Sequence, residues 1–402
     1  MNDHTFSSQE SLSRRSFLGT ATMVLGASGL LTTHAFAQSE PDSSPAAAAP
    51  AANNSPASHI TSLANRKPHF ADQSGNLTRV DANDMHRMKG LSIRRLQISP
   101  RGIREPHWHP NANELGYCLR GEHLVTIAGN HNTRHSFTIS QGEMFFVPSG
   151  ALHYLENIGS QEGEIVLGFS HERPEDFGLS GTFGSFTDAV LGNTFGLPAS
   201  AFANIQRTSK DTFIGRRTTS SSALEHQQRE NSPYKFTVER NLPEINSPSG
   251  TAHLAESSLW PALEGIAMFS VDLNHQGMRE LHWHPQTAEM GYITQGRGRM
   301  TIVSPGGSID TFEMHAGDVY FIPIAYPHHF ENLGEEDLKL LVFFDQPRPG
   351  DIGMLPAVSC FSKDVLAASF GLSPSQFPDI PFSADDPLIV PRINPLDPVS
   401  RS

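Results

Sequence analysis

The feature that most constrains this chain is that it repeats itself. Arg104, His107, His109, Glu114, Gly142, Pro148, His153 and Asn157 recur as Arg279, His282, His284, Glu289, Gly317, Pro323, His328 and Asn332, all at one offset of 175 residues. A single offset held across eight positions means two copies of one structural unit. The 402 residues therefore divide into two domains of roughly 150–200 residues each rather than one continuous fold. Between the markers run short apolar or alternating stretches, Glu122 to Ile127 and Glu143 to Val147 in the first copy, Arg299 to Val303 and Asp318 to Ile322 in the second. With 29 Pro and 33 Gly breaking the chain, long helices are excluded and an all-β fold is expected. Strands this short need closure into a barrel or sandwich, because open polar edges are poorly tolerated. Helices are expected only near Phe183 to Phe195 and Lys363 to Phe370, one set after each copy.

The repeated residues are metal-ligand types at metal-ligand spacing. In an extended strand, side chains two apart share a face, so His107 and His109 point the same way across Trp108. Glu114 opens the returning segment and His153 arrives from a distant strand, giving three imidazoles and one carboxylate. The second copy supplies His282, His284, Glu289 and His328; the adjacent His329 is displaced from the matching position and is left out of the ligand set. Imidazole and carboxylate without thiolate suit manganese or iron with open coordination positions, and manganese is the first choice. The same ligands also take zinc, copper or nickel, so metal supply decides occupancy.

These motifs resemble the two signatures of the cupin superfamily, in the bicupin arrangement of bacterial and fungal oxalate decarboxylases. Gly102 to His109 and Gly277 to His284 look like first motifs, Gly142 to Asn157 and Gly317 to Asn332 like second motifs, and the likeness extends over most of residues 66 to 395. It implies two double-stranded β-helix (jelly-roll) barrels with short accessory helices. It further implies manganese in both, trimers or hexamers, and conversion of oxalate to formate and carbon dioxide with dioxygen participating but not consumed. The substrate-facing arginines would be Arg104 and Arg279, with the first-lobe metal and Arg104 the preferred reaction centre. Strict alternation turns both arginines away from the histidine face, so that role requires a bulge or turn between them. Asn157 and Asn332 are expected to secure the motif turns.

Three departures bear on chemistry. Ala325 stands where the family has glycine, which affects a turn rather than the ligand spacing. The serine-rich lid carrying the family's proton-relay glutamate is absent; Ser170 to Phe177 takes its place, with Arg173 opposite the glutamate and Glu172, Glu175 and Asp176 as candidate replacements. Lys339 to Phe344 offers no interior glutamate in the second barrel. Fold markers and proton-transfer groups are separable. Oxalate oxidase activity yielding hydrogen peroxide, another small-carboxylate enzyme, and a non-catalytic periplasmic manganese-binding bicupin therefore stand beside decarboxylation.

The ends of the chain carry other signals. Arg14-Arg15 before a weakly apolar stretch, with Ala35-Phe36-Ala37 following, resembles a twin-arginine leader over residues 1–37, implying periplasmic or extracellular delivery without a retained transmembrane anchor. Residues 38–60, rich in Ala, Pro, Ser and Asn, read as a flexible linker; the first cupin domain is then 61–230 and the second 231–402. Twenty-nine basic against 42 acidic residues, a net charge of −13, argue against nucleic acid as a partner. Cys118 and Cys360 lie far apart with no close partner and read as buried thiols. Phe377 to Pro398 is expected to wrap over a neighbouring subunit or to form a loose tail.

Overall fold

The structure is a computed structural model that describes residues 59–218, 231–383 and 385–395; the leader and all but the last two residues of the linker fall outside the described residues. Its strands form four antiparallel sheets, a seven-stranded and a six-stranded sheet in each repeat. In the first repeat, Glu114–Arg120 lies between Met144–Val147 and Gly163–Phe169, while Gly102–Trp108 pairs with Leu152–Asn157 in the facing sheet. The second repeat copies this with Glu289–Gln295 between Asp318–Ile322 and Leu338–Phe344, and Gly277–Trp283 against His328–Asn332.

Period-two patterning explains why several strands are apolar throughout. Phe145 and Val147 face the interior of the first barrel, whereas Met144 and Phe146 face a separate core between the barrels. Leu338 to Phe344 divides likewise: Leu338, Leu340, Val342 and Phe344 fill the second barrel, while Leu341 and Phe343 join the inter-barrel core. A sheet covered on both faces has no polar side to show, so its strands read as continuous hydrophobic runs. Trp260 anchors this shared core, stacked on Phe236 at 5.1 Å with its indole N–H donated to Pro233 O.

The barrels also exchange edge strands. Ile60–Ser62 precedes the first barrel but pairs with Asp318–Ile322 of the second; Lys235–Phe236 precedes the second barrel but pairs with Met144–Val147 of the first. The exchange obeys the same 175-residue offset, with Ile60 opposite Tyr320 and Lys235 opposite Phe145. Each crossing covers a sheet edge that would otherwise present unpaired backbone groups.

The expected helical regions contain Leu179–Ser185 and Asp188–Phe195 after the first barrel, and Met354–Ser359 and Lys363–Ser369 after the second. Thr187 and Ser362 cap the second helix of each pair, accepting from the amides of Val190 and Val365. Near the C-terminus, Ile389–Pro391 adds to Gly277–Trp283 of its own barrel, as Ile214–Arg216 does to Gly102–Trp108. This part of the tail is therefore a strand of the barrel it follows. Cys118 is buried as expected, but Cys360 is exposed, because it lies just beyond a short surface helix. Among the described residues no helix is long and apolar enough to cross a membrane.

Candidate metal centres

Each barrel draws three of its ligand residues from three strands and the fourth, His109 or His284, from the residue just past the first of them. His107, His109, Glu114 and His153 are all buried, with one ligand atom from each lying within 4.8 Å of the others; His282, His284, Glu289 and His328 form the same cluster. His329 is in neither. The strand from Gly102 carries the bulge that the arginines required: Leu155 sits opposite Arg104 and His153 opposite His107, a register shift that turns both Arg104 and His107 inward. The shift recurs between Arg279 and His282. Trp108 stays on the other face, stacked on Phe177 at 5.3 Å.

Backbone carbonyls fix the imidazole tautomers. Nδ1 of His107, His109 and His153 lies 2.7, 2.9 and 2.9 Å from the carbonyls of Glu105, Glu175 and Ala151. In the second barrel, Nδ1 of His282, His284 and His328 meets the carbonyls of Glu280, Gly350 and Tyr326 at 2.7, 2.8 and 2.9 Å. A carbonyl only accepts, so Nδ1 carries the hydrogen and Nε2 turns its lone pair into the cluster. The carboxylates face these nitrogens: Glu114 Oε2 is 2.8 Å from His109 Nε2 and 3.3 Å from His153 Nε2, and Glu289 repeats both distances with His284 and His328. Burial raises both carboxyls, but the surrounding histidines outweigh it and hold them well below the usual carboxylate range. Burial, with Arg104 next, pushes His107 well below its ordinary value, as suits a neutral ligand. The donor set fits a divalent cation in each barrel.

The two centres differ in what surrounds them. Tyr320 donates its hydroxyl to Glu289 Oε1 at 2.6 Å. The matching residue in the first barrel is Phe145, and Glu114 Oε1 is buried without a hydrogen-bond partner. Arg104 is only 2% exposed; its Nη1 donates to Phe213 O at 3.2 Å while Nη2 has no hydrogen-bond partner. Arg279 is tied down by Asp351 at Nη2 and by Leu388 O at Nη1.

The candidate acids separate. Glu172 turns away, its carboxylate accepting from the Gly90 amide at 3.1 Å, and Glu175 is exposed, meeting His109 only through its backbone carbonyl. Asp176 alone reaches the ligand shell, with Oδ1 2.6 Å from His109 Nδ1, and it also pairs with Arg94 at 2.8 Å. Burial raises the Asp176 carboxyl, yet Arg94, His109 and Arg104 together hold it well below the usual range. Asn157 and Asn332 secure turns as expected, donating to Ile98 O and Leu273 O and accepting from the amides of Gly159 and Gly334. Sequence reasoning missed Arg94 and Tyr320; extending the 175-residue offset to Phe269 and Phe145 exposes both as mismatches. A polar cavity of about 650 Å³ between the barrels, beside Tyr117 and Tyr292, includes none of the eight ligands.

Two jelly-roll barrels in one chain, each holding three histidines and a glutamate, define a double-barrelled metal-binding protein. The cupin family model matches residues 61–201 and 236–377, and the chain belongs to the cupin family as a bicupin. The oxalate decarboxylase OxdC of Bacillus subtilis (strain 168) is 28% identical over 340 residues, covering 81% of this chain and 87% of that one. A probable oxalate decarboxylase of Arthroderma benhamiae is 32% identical over 284 residues, covering 67% and 68%. The structure of the Bacillus subtilis oxalate decarboxylase at pH 4.6 superposes with a TM-score of 0.76 at 23% identity, over 85% of this chain and 89% of that one.

Proposed function

We propose that this chain is a manganese-dependent oxalate decarboxylase, converting hydrogenoxalate to formate and carbon dioxide in its first barrel. The observation that carries the reading is Arg104: a buried guanidinium with an uncommitted N–H, inside a barrel whose four metal-facing donors are oriented. Such a group suits a small carboxylate, which it orients and charge-balances. Manganese, one ion per barrel, agrees with the mixed imidazole and carboxylate donors and with the Mn(II) centres named for the Bacillus subtilis enzyme. When bound, the metal supplies the one-electron chemistry that carbon–carbon cleavage of oxalate needs. The protein's own contribution is to hold the anion with Arg104, orient the imidazoles through their backbone carbonyl partners and shield the site from water.

A second reading rests on the acids. Decarboxylation adds a proton to carbon. In this arrangement Glu172 faces Gly90, and Asp176 is held as an anion, suited to accepting rather than giving a proton. Without proton delivery, oxalate, dioxygen and two protons would give two carbon dioxide and hydrogen peroxide, the oxidase outcome.

The test is manganese-loaded protein of verified metal content, incubated aerobically with oxalate at mildly acidic pH while formate and peroxide are quantified together. Formate in excess supports decarboxylation; peroxide in excess moves the assignment to oxidase. Neither product, with both sites filled, refutes the oxalate reading in favour of another small carboxylate or metal binding alone.

We also propose an exported setting, supported by the resemblance of residues 1–37 to a twin-arginine leader, and cleavage after Ala37 on secretion would test it. Self-association is supported by matched exposed apolar residues on the helical pairs, Val190, Phe195 and Leu197 after one barrel and Val365, Phe370 and Leu372 after the other. A homotrimer or homohexamer is the expected mass by light scattering.

A further inference from the structure

The two barrels place the same arginine and the same aspartate beside their ligands, yet join them differently. Arg104 and Asp176 correspond to Arg279 and Asp351 at the 175-residue offset. In the second barrel Arg279 Nη2 is hydrogen-bonded to Asp351 Oδ2, so cation and anion satisfy one another. In the first barrel Arg104 Nη2 stands 3.5 Å from Asp176 Oδ2 and makes no hydrogen bond. What differs is what else holds the aspartate: His109 Nδ1 lies 2.6 Å from Asp176 Oδ1, where His284 Nδ1 meets Gly350 O, and a third residue joins it. Arg94 donates Nη1 to both oxygens of Asp176, at 3.0 and 2.8 Å, and Nη2 to Pro174 O, with its guanidinium 4.5 Å over the Phe169 ring. Its counterpart is Phe269, which packs on Phe344 at 4.8 Å, as Arg94 packs on Phe169. The strand registers confirm the match, with Arg94 opposite Leu167 and Phe269 opposite Val342.

We propose that Arg94 is a positioning residue that keeps Arg104 open to the substrate's carboxylate by drawing Asp176 onto itself. A carboxylate shared by two guanidiniums is held most closely by the one with better geometry, and here that is Arg94. Relative to the second barrel the first carries one more cation, Arg94, and an Arg104 N–H without a hydrogen bond, whereas Arg279 and Asp351 pair with each other. Anion affinity at the first centre is thus set by a residue that does not touch the substrate. The inference rests on the reading that the first barrel takes a small carboxylate, and it deepens that reading by naming what makes the two barrels unequal.

The test is Arg94→Met, alone and combined with Asp176→Asn, in the manganese-loaded full chain. With Arg94 gone, Asp176 is expected to close onto Arg104 as Asp351 does on Arg279. The oxalate KM then rises on the order of tenfold or more, with a smaller change in kcat. Adding Asp176→Asn removes the competing charge while keeping an acceptor for His109, and brings KM back towards the parent value; Arg94→Lys gives an intermediate rise. A merely structural Arg94 would leave the double variant no better than the single one, and that result overturns the proposal. So does an unchanged KM in Arg94→Met. A crystal structure of Arg94→Met decides the same point without substrate: Asp176 within hydrogen-bond reach of Arg104 supports the proposal, and the parent 3.5 Å separation overturns it. If the parent protein neither binds nor turns over oxalate, the functional reading fails while this structural measurement still stands. Should Arg94→Met not fold, Asp351→Asn in the second barrel substitutes for it. Freeing Arg279 is expected to add a second calorimetric oxalate site per chain, and no added site overturns the proposal.

Discussion

Replacing Tyr320 by Phe should weaken the second metal centre and leave the first unchanged. Tyr320 is completely buried, Glu289 is 2% exposed, and the hydroxyl reaches Glu289 Oε1 at 2.6 Å. Burial first, then the Glu289 carboxylate, pushes the phenol well above its ordinary pKa, so it remains a donor. A hydrogen bond to a buried charge contributes about 1.5–3 kcal/mol, and losing a partner that orients a ligand typically lowers metal affinity about 10–100-fold. The first barrel supplies the control, since Phe145 already leaves Glu114 Oε1 without a partner. The rings are placed alike: a Cβ added to Gly116 would lie 2.1 Å from Phe145, and one added to Gly291 would lie 2.1 Å from Tyr320. Phe145→Tyr should therefore carry a hydroxyl to Glu114 and tighten the first site. Manganese titration against a competing chelator, with electron paramagnetic resonance separating the two ions, reads both effects. If Tyr320→Phe leaves the second-site affinity at the parent value, the hydroxyl does not hold the ligand and the reasoning is wrong.

Ala325 sits at φ 63°, where its counterpart Gly150 has φ 78°. Ala325→Gly should relieve a left-handed strain of about 1 kcal/mol, read as a higher urea midpoint. Burial pushes the Cys118 thiol up to about 12, whereas Cys360 is exposed; at pH 8 the native protein should therefore be alkylated at Cys360, with Cys118 reacting only after unfolding. Burial also lowers His123 to about 4 in the folded state, against an ordinary value of 6.5. Between those values the unfolded chain binds the extra proton, so the full contribution is present above about pH 6.5 and about 3 kcal/mol is lost as pH falls towards 4. His123→Gln should flatten that part of the stability profile in denaturant titrations.

The ligand set was legible because two simple periods coincide in it. A spacing of two put His107 and His109 on one face, and a spacing of 175 repeated the whole group, so neither long-range pairing nor packing had to be known. The arginines were harder. Alternation alone turned Arg104 away from the ligands, and only the register shift between His153 and Leu155 brings it inward. The strand exchange left no signal, since Ile60–Ser62 and Lys235–Phe236 are too short to show a period. Cys360 was read as buried from residue type alone, although its position beyond a short helix places it in solvent.

The differences between the repeats carry the functional information that their likeness hides. Identical ligands account for two metal centres but give no reason for the two to behave differently. Arg94 against Phe269 and Phe145 against Tyr320 supply that reason, because each mismatch leaves a buried polar atom uncommitted in the first barrel, Arg104 Nη2 and Glu114 Oε1. The corresponding atoms of the second barrel are occupied by Asp351 and Tyr320. Uncommitted buried polar groups cost stability, and they are tolerated where a ligand completes them. On the proposed function, Arg104 Nη2 is the group a substrate carboxylate would complete in the first barrel, while Arg279 is already paired with Asp351. Exchanging both pairs of residues between the barrels, Arg94→Phe with Phe145→Tyr and Phe269→Arg with Tyr320→Phe, should move oxalate binding from one barrel to the other.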